Sequence, residues 1–120
     1  MNLLTAPIVS DGVRLGEDST LPLERDQLTQ LHDAGLETVT IGIRPEDLEV
    51  SEGGGIDVVI DLVEDLGSET YLYAHAHPDV ELVARSLSRT PVKLADTVEL
   101  RKKPEGKIHL FHPDTGERIN

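Results

Sequence analysis

Apolar and polar side chains alternate with a period of two along most of this chain, as they do in β-strands that bury one face. In residues 56–62 (IDVVIDL), the residues at 56, 58, 60 and 62 form one apolar face and the aspartates at 57 and 61 point to the other. The same alternation occurs in residues 39–43, 71–76, 80–84, 98–100 and 108–111. Short strands spaced by about 8 to 12 residues are typical of an antiparallel sandwich or barrel rather than of βαβ units.

Turn-forming residues lie between the predicted strands, at 52–55, 66–68, 77–79, 103–106 and 113–116. Their glycines and prolines supply the positive or fixed φ angles that turns require. Two earlier segments, residues 12–15 and 20–23, predict a hairpin around residues 16–19. One helix is predicted over residues 23–34, because Leu28 and Leu31 are three apart and Gly35 ends the pattern. Pro45 is expected to begin a single helical turn that reaches Leu48.

The 120 residues have the length of one domain, and 23 acidic against 11 basic residues give a net charge of −12. This charge excludes a binder of nucleic-acid backbones and an electrostatic anchor on an anionic membrane surface. Tyr71, Tyr73 and Phe111 are the only aromatic residues, too few for a platform that stacks bases or sugar rings. Cysteine is missing, which excludes disulfides and thiolate sites. Without a long apolar run or a signal-peptide pattern, the sequence predicts an intracellular domain that does not insert into a membrane.

The common catalytic signatures are missing from the sequence. None of the four lysines follows a P-loop, and the sequence has no Gly-x-Ser-x-Gly elbow and no cysteine nucleophile. Two histidine clusters are candidates for a metal site: His75 and His77 near Asp79, and His109 and His112 near Asp114. A catalytic zinc site needs three convergent, supported ligands, and we interpret His75 and His77 as solvent-facing strand residues. The chain is therefore predicted to be non-enzymatic, without a metal or cofactor of its own, and a metal-dependent enzyme is the least favoured alternative.

Three segments, in this order along the chain, carry a more specific pattern. They are residues 41–48 (IGIRPEDL), residues 63–71 (VEDLGSETY) and residues 108–119 (IHLFHPDTGERI). Together they resemble the C-terminal regulatory region of MalK/UgpC-type ATP-binding subunits of carbohydrate ABC importers. The resemblance covers essentially the whole chain, and the set of segments is more specific than any one of them.

The resemblance implies a mainly β fold, an OB-like, TOBE-type β-barrel with one short helix, that occupies residues 1–120 as a single domain. It implies that ATP and Mg²⁺ bind to an ATPase domain that these residues do not include, so that this chain is a portion of a longer subunit. It further implies a non-catalytic regulatory and dimerisation role, with a second copy of the chain, the permease subunits and a regulatory protein as partners. The expected location is the cytoplasm, on the inner face of the cell membrane as part of the transporter.

The motif residues are expected to serve the barrel or its interface rather than catalysis: Arg44, Pro45, Glu46, Glu64, Gly67, Phe111 and Gly116. Arg44 ends a strand and is expected to pair with Glu46 or another carboxylate, while Gly67 and Gly116 fit tight turns. Phe111 is expected in the core or at the dimer interface. A module that binds a small ligand or an oxyanion through main-chain N–H groups is the alternative function.

Overall fold

The computed structural model describes residues 1–16, 19–76, 80–86 and 92–120. Within these residues, ten strands and one helix follow in the order β1 (Asn2–Val9), β2 (Gly12–Arg14), β3 (Thr20–Pro22), α1 (Arg25–Asp33), β4 (Thr38–Ile43), β5 (Leu48–Ser51), β6 (Ile56–Asp65), β7 (Thr70–Ala76), β8 (Val80–Ser86), β9 (Thr97–Lys102) and β10 (His109–Phe111). A single turn of 3-10 helix, Pro45–Asp47, lies between β4 and β5. The fold is mainly β with one short helix, as the sequence predicts.

The strands form two antiparallel five-stranded sheets. The first has the order β10-β4-β1-β2-β3, and the second has the order β5-β9-β6-β7-β8. In the first sheet β1 is central, since it pairs with β4 along residues 2–7 and with β2 at Ile8 and Val9. The chain crosses from the first sheet to the second after β4 and returns to it only with β10, so both termini contribute to one sheet.

The buried apolar residues form one cluster that both sheets share. It is built almost entirely of valine, isoleucine, leucine and alanine, because the two tyrosines and the phenylalanine are only partly buried. The helix contributes Leu31, which is 1% exposed, and Leu28 packs against the same cluster. No helix among the described residues has the length and apolar character needed to cross a membrane.

Several local predictions are confirmed. The hairpin forms from β2 and β3 with Val13 opposite Leu21, although residues 17–18 of its turn lie outside the described part of the chain. The helix lies within the predicted limits, and Gly35 follows it with a φ of 68°. Pro45 begins the 3-10 turn at its first position. The predicted strands at 39–43, 71–76, 80–84, 98–100 and 108–111 correspond to β4 and β7–β10.

The predicted apolar face of residues 56–62 is wrong at its last position. Ile56, Val58 and Ile60 are each 1% exposed, but Leu62 is 52% exposed. The reason is a bulge in the pairing of β6 with β7: Ile60 lies opposite Ala74 and Leu62 opposite Tyr73, so that Asp61 has no opposing residue. One extra residue reverses the alternation of faces, and the strand continues with Leu62 turned to solvent.

Two strands were not predicted. β1 (Asn2–Val9) contains Pro7 and consecutive leucines, and it does not alternate clearly. β5 (Leu48–Ser51) is four residues long and follows the 3-10 turn directly. Both are held by long-range pairing, β1 with β4 and β5 with β9, which a local pattern does not contain.

Candidate functional site

The first motif forms the junction between the two sheets. Arg44 follows the last residue of β4, and Pro45 and Glu46 lie in the 3-10 turn that leads into β5. The main-chain oxygen of Asp47 accepts a hydrogen bond from the Lys103 N–H at 2.8 Å. Arg44 is exposed, and within the described residues it makes no ion pair with Glu46 or with another carboxylate. The expected Arg44 pair is therefore not formed, because the guanidinium extends into solvent where such a pair would gain little.

The second motif forms the turn between β6 and β7. Gly67 has a φ of 89°, and its N–H donates to the Asp65 carboxylate at 2.9 Å. Glu64 is exposed on β6, opposite Tyr71. Gly67 thus reverses the chain as expected, and Glu64 lies on the surface of the strand.

The third motif forms a closing hairpin after β10. Gly116 has a φ of 75°, and its N–H donates to the His112 main-chain oxygen at 2.9 Å. The Nδ1 atom of His112 accepts from the Asp114 N–H at 3.2 Å. Phe111 is only partly buried and lies opposite Thr40 of β4, on the outer side of the first sheet. Phe111 was expected in the core or at the dimer interface, and the structure shows that it does not lie in the core.

Three apolar side chains converge over Gly42 on this outer face. A Cβ placed on Gly42 would lie 2.9 Å from the sulfur of Met1, 3.0 Å from a ring carbon of Phe111 and 3.3 Å from a methyl carbon of Leu3. Met1 is 57% exposed and Leu3 is 59% exposed. We call Met1, Leu3, Gly42 and Phe111 the Gly42 patch. It joins the first and third motifs into one exposed apolar surface.

A groove of about 250 Å³ lies between the start of α1 and the segment that leads into β10. Lys102, Lys107, His109 and Arg118 line it together with Gln27, Glu24 and Asn120, and we call it the cationic groove. Gln27 is held in place by two hydrogen bonds, from the Glu24 N–H at 3.1 Å and to the Ile108 main-chain oxygen at 2.9 Å. The amide of Asn120 similarly accepts from the Leu110 N–H at 2.8 Å.

His109 belongs to the third motif, and the charges of Arg44 and Asp47 in the first motif act on it. A nitrogen of the Arg118 guanidinium lies 2.6 Å from its Nδ1 atom. Burial lowers the pKa of His109 below its ordinary value of 6.5, and the charges of Arg118, Arg44 and Lys107 lower it further, whereas Asp47 acts in the opposite direction. Together these effects favour the neutral form of the His109 ring.

The second histidine cluster, His109 and His112 near Asp114, does not form a metal site, since no three potential ligands of the histidine, aspartate or glutamate type converge within the described residues. His75 is half exposed on β7, and its Nδ1 atom lies 2.8 Å from the Asp61 carboxylate. His77 and Asp79 lie outside the described residues. His109 and His112 each use Nδ1 in the hydrogen bonds given above.

The site prediction from sequence missed Gln27, Lys102 and Lys107. Gln27 donates to the distant Ile108 oxygen, and Lys102 and Lys107 line a groove that Arg118 also lines. None of these positions carries a motif, and the only sequence signal for the two lysines is the higher share of basic residues in the second half of the chain, where eight of the 11 lie.

Comparison with known protein families gives two matches that together cover residues 1–111. The MalK OB fold domain matches residues 1–48, and the TOBE domain matches residues 41–111. The second match covers more than half of the chain.

Three similar proteins are ATP-binding proteins of uptake or import systems. The diacetylchitobiose uptake system ATP-binding protein MsiK of Streptomyces coelicolor is 36% identical over 99% of this chain and 36% of its own length. The sn-glycerol-3-phosphate import ATP-binding protein UgpC of Bordetella avium is 30% identical over 99% of this chain and 33% of its own length. UgpC of Ruegeria pomeroyi is 40% identical over 68% of this chain and 23% of its own length.

The chain thus spans about a third of the length of the first two relatives, which match it almost from end to end. Within the described residues, its two sheets and single helix agree with the mainly β fold with one short helix that the resemblance implies. The chain belongs to the TOBE domain family, and its first 48 residues match the MalK OB fold domain.

Proposed function

We propose that this chain is the regulatory and dimerisation domain of the ATP-binding subunit of a carbohydrate-type ABC importer. The observation that carries the proposal is the paired match of the MalK OB fold and TOBE domains across residues 1–111. The names of the relatives, which are ATP-binding proteins of diacetylchitobiose and glycerol-3-phosphate systems, support the same class of transporter. The domain itself is non-catalytic in this proposal, and ATP and Mg²⁺ are bound by another domain of the subunit.

The partners follow from this assignment. The subunit would associate with permease subunits through its ATPase domain, at the inner face of the cell membrane, and the domain described here would contact a second copy of itself and a regulatory protein. The gene tests the assignment directly. We expect the reading frame to encode an ATPase domain with a P-loop ahead of these residues, and a reading frame without one would contradict the proposal.

Self-association is supported by the Gly42 patch. Met1 and Leu3 are more than half exposed, and with Phe111 they form an apolar surface on a sheet that also carries the polar pair Thr5 and Thr40. Burying such a surface against a second copy would remove apolar area from water, which is the main favourable term in protein association.

Two exposed leucines allow a matched test. We expect light scattering after size exclusion to show a mass above the 13.1 kDa of one chain at high concentration. Leu3→Glu places a charge in the patch and should return the mass to that of a monomer. Leu66→Glu adds the same charge in the β6–β7 turn, where the leucine is 55% exposed, and should leave the dimer intact. A wild-type chain that stays monomeric at high concentration, or equal dissociation by both variants, would contradict this interface.

A further inference from the structure

The outer face of the second sheet carries an apolar stripe that crosses three strands. Leu62 of β6 lies opposite Tyr73 of β7, and Tyr73 lies opposite Val83 of β8. The residues that alternate with them on β7 and β8, Leu72 and Leu82 among them, are buried, so Tyr73 and Val83 point away from the core. Leu62 is 52% exposed. We call Leu62, Tyr73 and Val83 the Tyr73 stripe.

The stripe exists because of the bulge at Asp61. Regular pairing would turn Leu62 into the core, but the extra residue turns it onto the outer face. Asp61 points to the same face, because its carboxylate lies 2.8 Å from Nδ1 of His75. Bulges interrupt the pairing of strands and are used to redirect side chains beside functional surfaces. β6 thus exposes a leucine beside a tyrosine at a place where a regular strand would bury it.

Both tyrosines of the chain lie on this outer face. Tyr71 is two residues before Tyr73 on β7, and both side chains are partly buried. Neither hydroxyl makes a hydrogen bond with another described residue. Tyrosine is enriched at protein interfaces, because its rigid ring gives a large contact area at low entropic cost and its hydroxyl can bond to the partner. Two unbonded hydroxyls beside an exposed leucine therefore indicate a surface that contacts another protein.

Two carboxylates flank the stripe on opposite sides. Glu64 lies two residues after Leu62 on β6, and Glu81 lies two residues before Val83 on β8. Both are exposed, and neither forms an ion pair with another described residue. The spacings of a sheet separate them by roughly 16 Å, two strands across and four residues along. An apolar centre with a negative charge at each end attracts cationic groups.

The basic side chains of this face already have acidic partners. Nε of Arg85 lies 3.6 Å from a Glu69 oxygen, and Nδ1 of His75 lies 2.8 Å from Asp61. A second copy of the chain, with its net charge of −12, would therefore set carboxylates against carboxylates, and an anionic membrane surface would be repelled in the same way. The Gly42 patch contains no carboxylate and is the surface that suits a second copy.

We propose that the Tyr73 stripe is the docking surface for a basic amphipathic segment of a partner protein. Apolar side chains of the segment pack on the stripe, and its lysine or arginine side chains lie near Glu64 and Glu81. The faces of the two tyrosine rings add cation–π attraction for the same basic groups. Three turns of helix span about 16 Å, so a helical segment needs at least this length to reach both carboxylates.

Tyrosine fluorescence of the 120-residue chain gives a local readout, because the chain has no tryptophan and both tyrosines lie on this face. The probes are three synthetic peptides without aromatic residues, titrated at physiological ionic strength. One is an amphipathic helix of leucine and lysine, the second has glutamate in place of lysine, and the third has serine in place of leucine. We expect a saturable change of fluorescence with the leucine–lysine peptide alone, and amide chemical shift changes confined to β6, β7 and β8.

Matched variants separate this surface from the general acidity of the chain. Leu62→Gln should weaken binding of the leucine–lysine peptide about tenfold, because one leucine side chain is no longer buried by it. Leu3→Gln alters a leucine that is 59% exposed on the first sheet and should leave the affinity unchanged. Glu64→Gln should weaken binding about threefold, the value of an exposed ion pair. Glu37→Gln removes an exposed carboxylate next to the first sheet and should have no effect.

Four results would overturn the proposal. They are the absence of a saturable change with the leucine–lysine peptide, equal affinity for either control peptide, equal weakening by the two members of a variant pair, and a concentration-dependent change without peptide that Leu62→Gln abolishes. The last result would assign the face to a second copy of the chain. Thermal unfolding of each variant shows that the fold is retained. The proposal does not rest on the assignment to a transporter, which the reading frame tests separately.

Discussion

The side-chain amide of Asn2 forms two hydrogen bonds with the main chain of Val83. Its Nδ2 atom donates to the Val83 oxygen at 2.9 Å, and its Oδ1 atom accepts from the Val83 N–H at 2.8 Å. The same Nδ2 atom donates to the Ile43 oxygen at 3.1 Å. Because Asn2 lies on β1 and Val83 on β8, one buried side chain, 8% exposed, joins the two sheets.

Asn2→Ala should lower the free energy of unfolding by about 3 kcal/mol, because it leaves main-chain donors and acceptors of Val83 and Ile43 without partners in a buried place. Urea denaturation measures this change. Thr5→Ala is the control on the same strand: it removes an exposed hydroxyl pair with Thr40, at 2.7 Å, and should cost no more than about 0.5 kcal/mol. Equal effects of the two substitutions would show that the Asn2 bridge does not stabilise the junction of the sheets.

Two glycines in the first sheet should differ in their tolerance of alanine. A Cβ at Gly12 would overlap the main-chain oxygen of Leu21, which pairing with β2 holds in place. A Cβ at Gly42 would meet only side chains of Met1, Phe111 and Leu3, which can move. We expect Gly12→Ala to destabilise the fold by about 3 kcal/mol and Gly42→Ala by about 1 kcal/mol. The denaturant midpoints of the two variants measure this difference. A lower midpoint for Gly42→Ala than for Gly12→Ala would contradict this account.

Because of the bulge at Asp61, polar substitutions at two positions of β6 should differ in their effect on the free energy of unfolding. Ile60→Gln places an amide in the core at a side chain that is 1% exposed, and it should cost about 3 kcal/mol or more. Leu62→Gln alters a side chain that is 52% exposed and should change stability by less than about 0.5 kcal/mol. Without the bulge both residues would lie on the buried face, and both substitutions would be costly. Thermal unfolding of the two variants distinguishes these cases.

The lowered pKa of His109 predicts a loss of stability in acid. In the unfolded chain the residue takes up a proton near its ordinary pKa of 6.5, whereas burial and the neighbouring Arg118, Arg44 and Lys107 delay this uptake in the folded chain. The unfolded state therefore binds more protons as the pH falls, and the contribution of His109 is full above pH 6.5 and is lost as the pH falls through the folded pKa.

Urea denaturation of the wild type and of His109→Gln, from neutral pH to about pH 5, isolates this contribution. The wild type should lose more stability than the variant over this range, because glutamine does not titrate. A parallel decline of both proteins would assign the acid sensitivity to other groups. Nuclear magnetic resonance titration of the His109 ring gives the pKa directly.

Most of the strands were predictable because each buries one face and exposes the other. The alternation in β7, with Leu72, Ala74 and Ala76 inward, is visible without knowledge of any partner strand. β1 shows the limit of this approach. It is the central strand of its sheet, but Pro7 and the consecutive leucines obscure its alternation, and only pairing with β4 defines it as a strand.

The candidate site was predictable only in part, for a related physical reason. The motif glycines Gly67 and Gly116 act within their own turns, so their φ angles follow from local sequence. Phe111 and Leu3 become neighbours only because β10 and β1 pair with opposite edges of β4. The residues of the cationic groove are likewise brought together by chain segments that are distant in sequence.

By itself the sequence determined the class of the fold, the hairpin, the helix and the turns at Gly67 and Gly116, because periodicity and turn chemistry act over a few residues. It also determined the acidic character of the chain and the family to which its motifs point. Only the tertiary structure decided that Leu62 faces solvent, that Asn2 joins the sheets and that Lys102, Lys107 and Arg118 share one groove. Those features depend on the register between strands and on packing between distant segments, and no local pattern of side chains encodes either one.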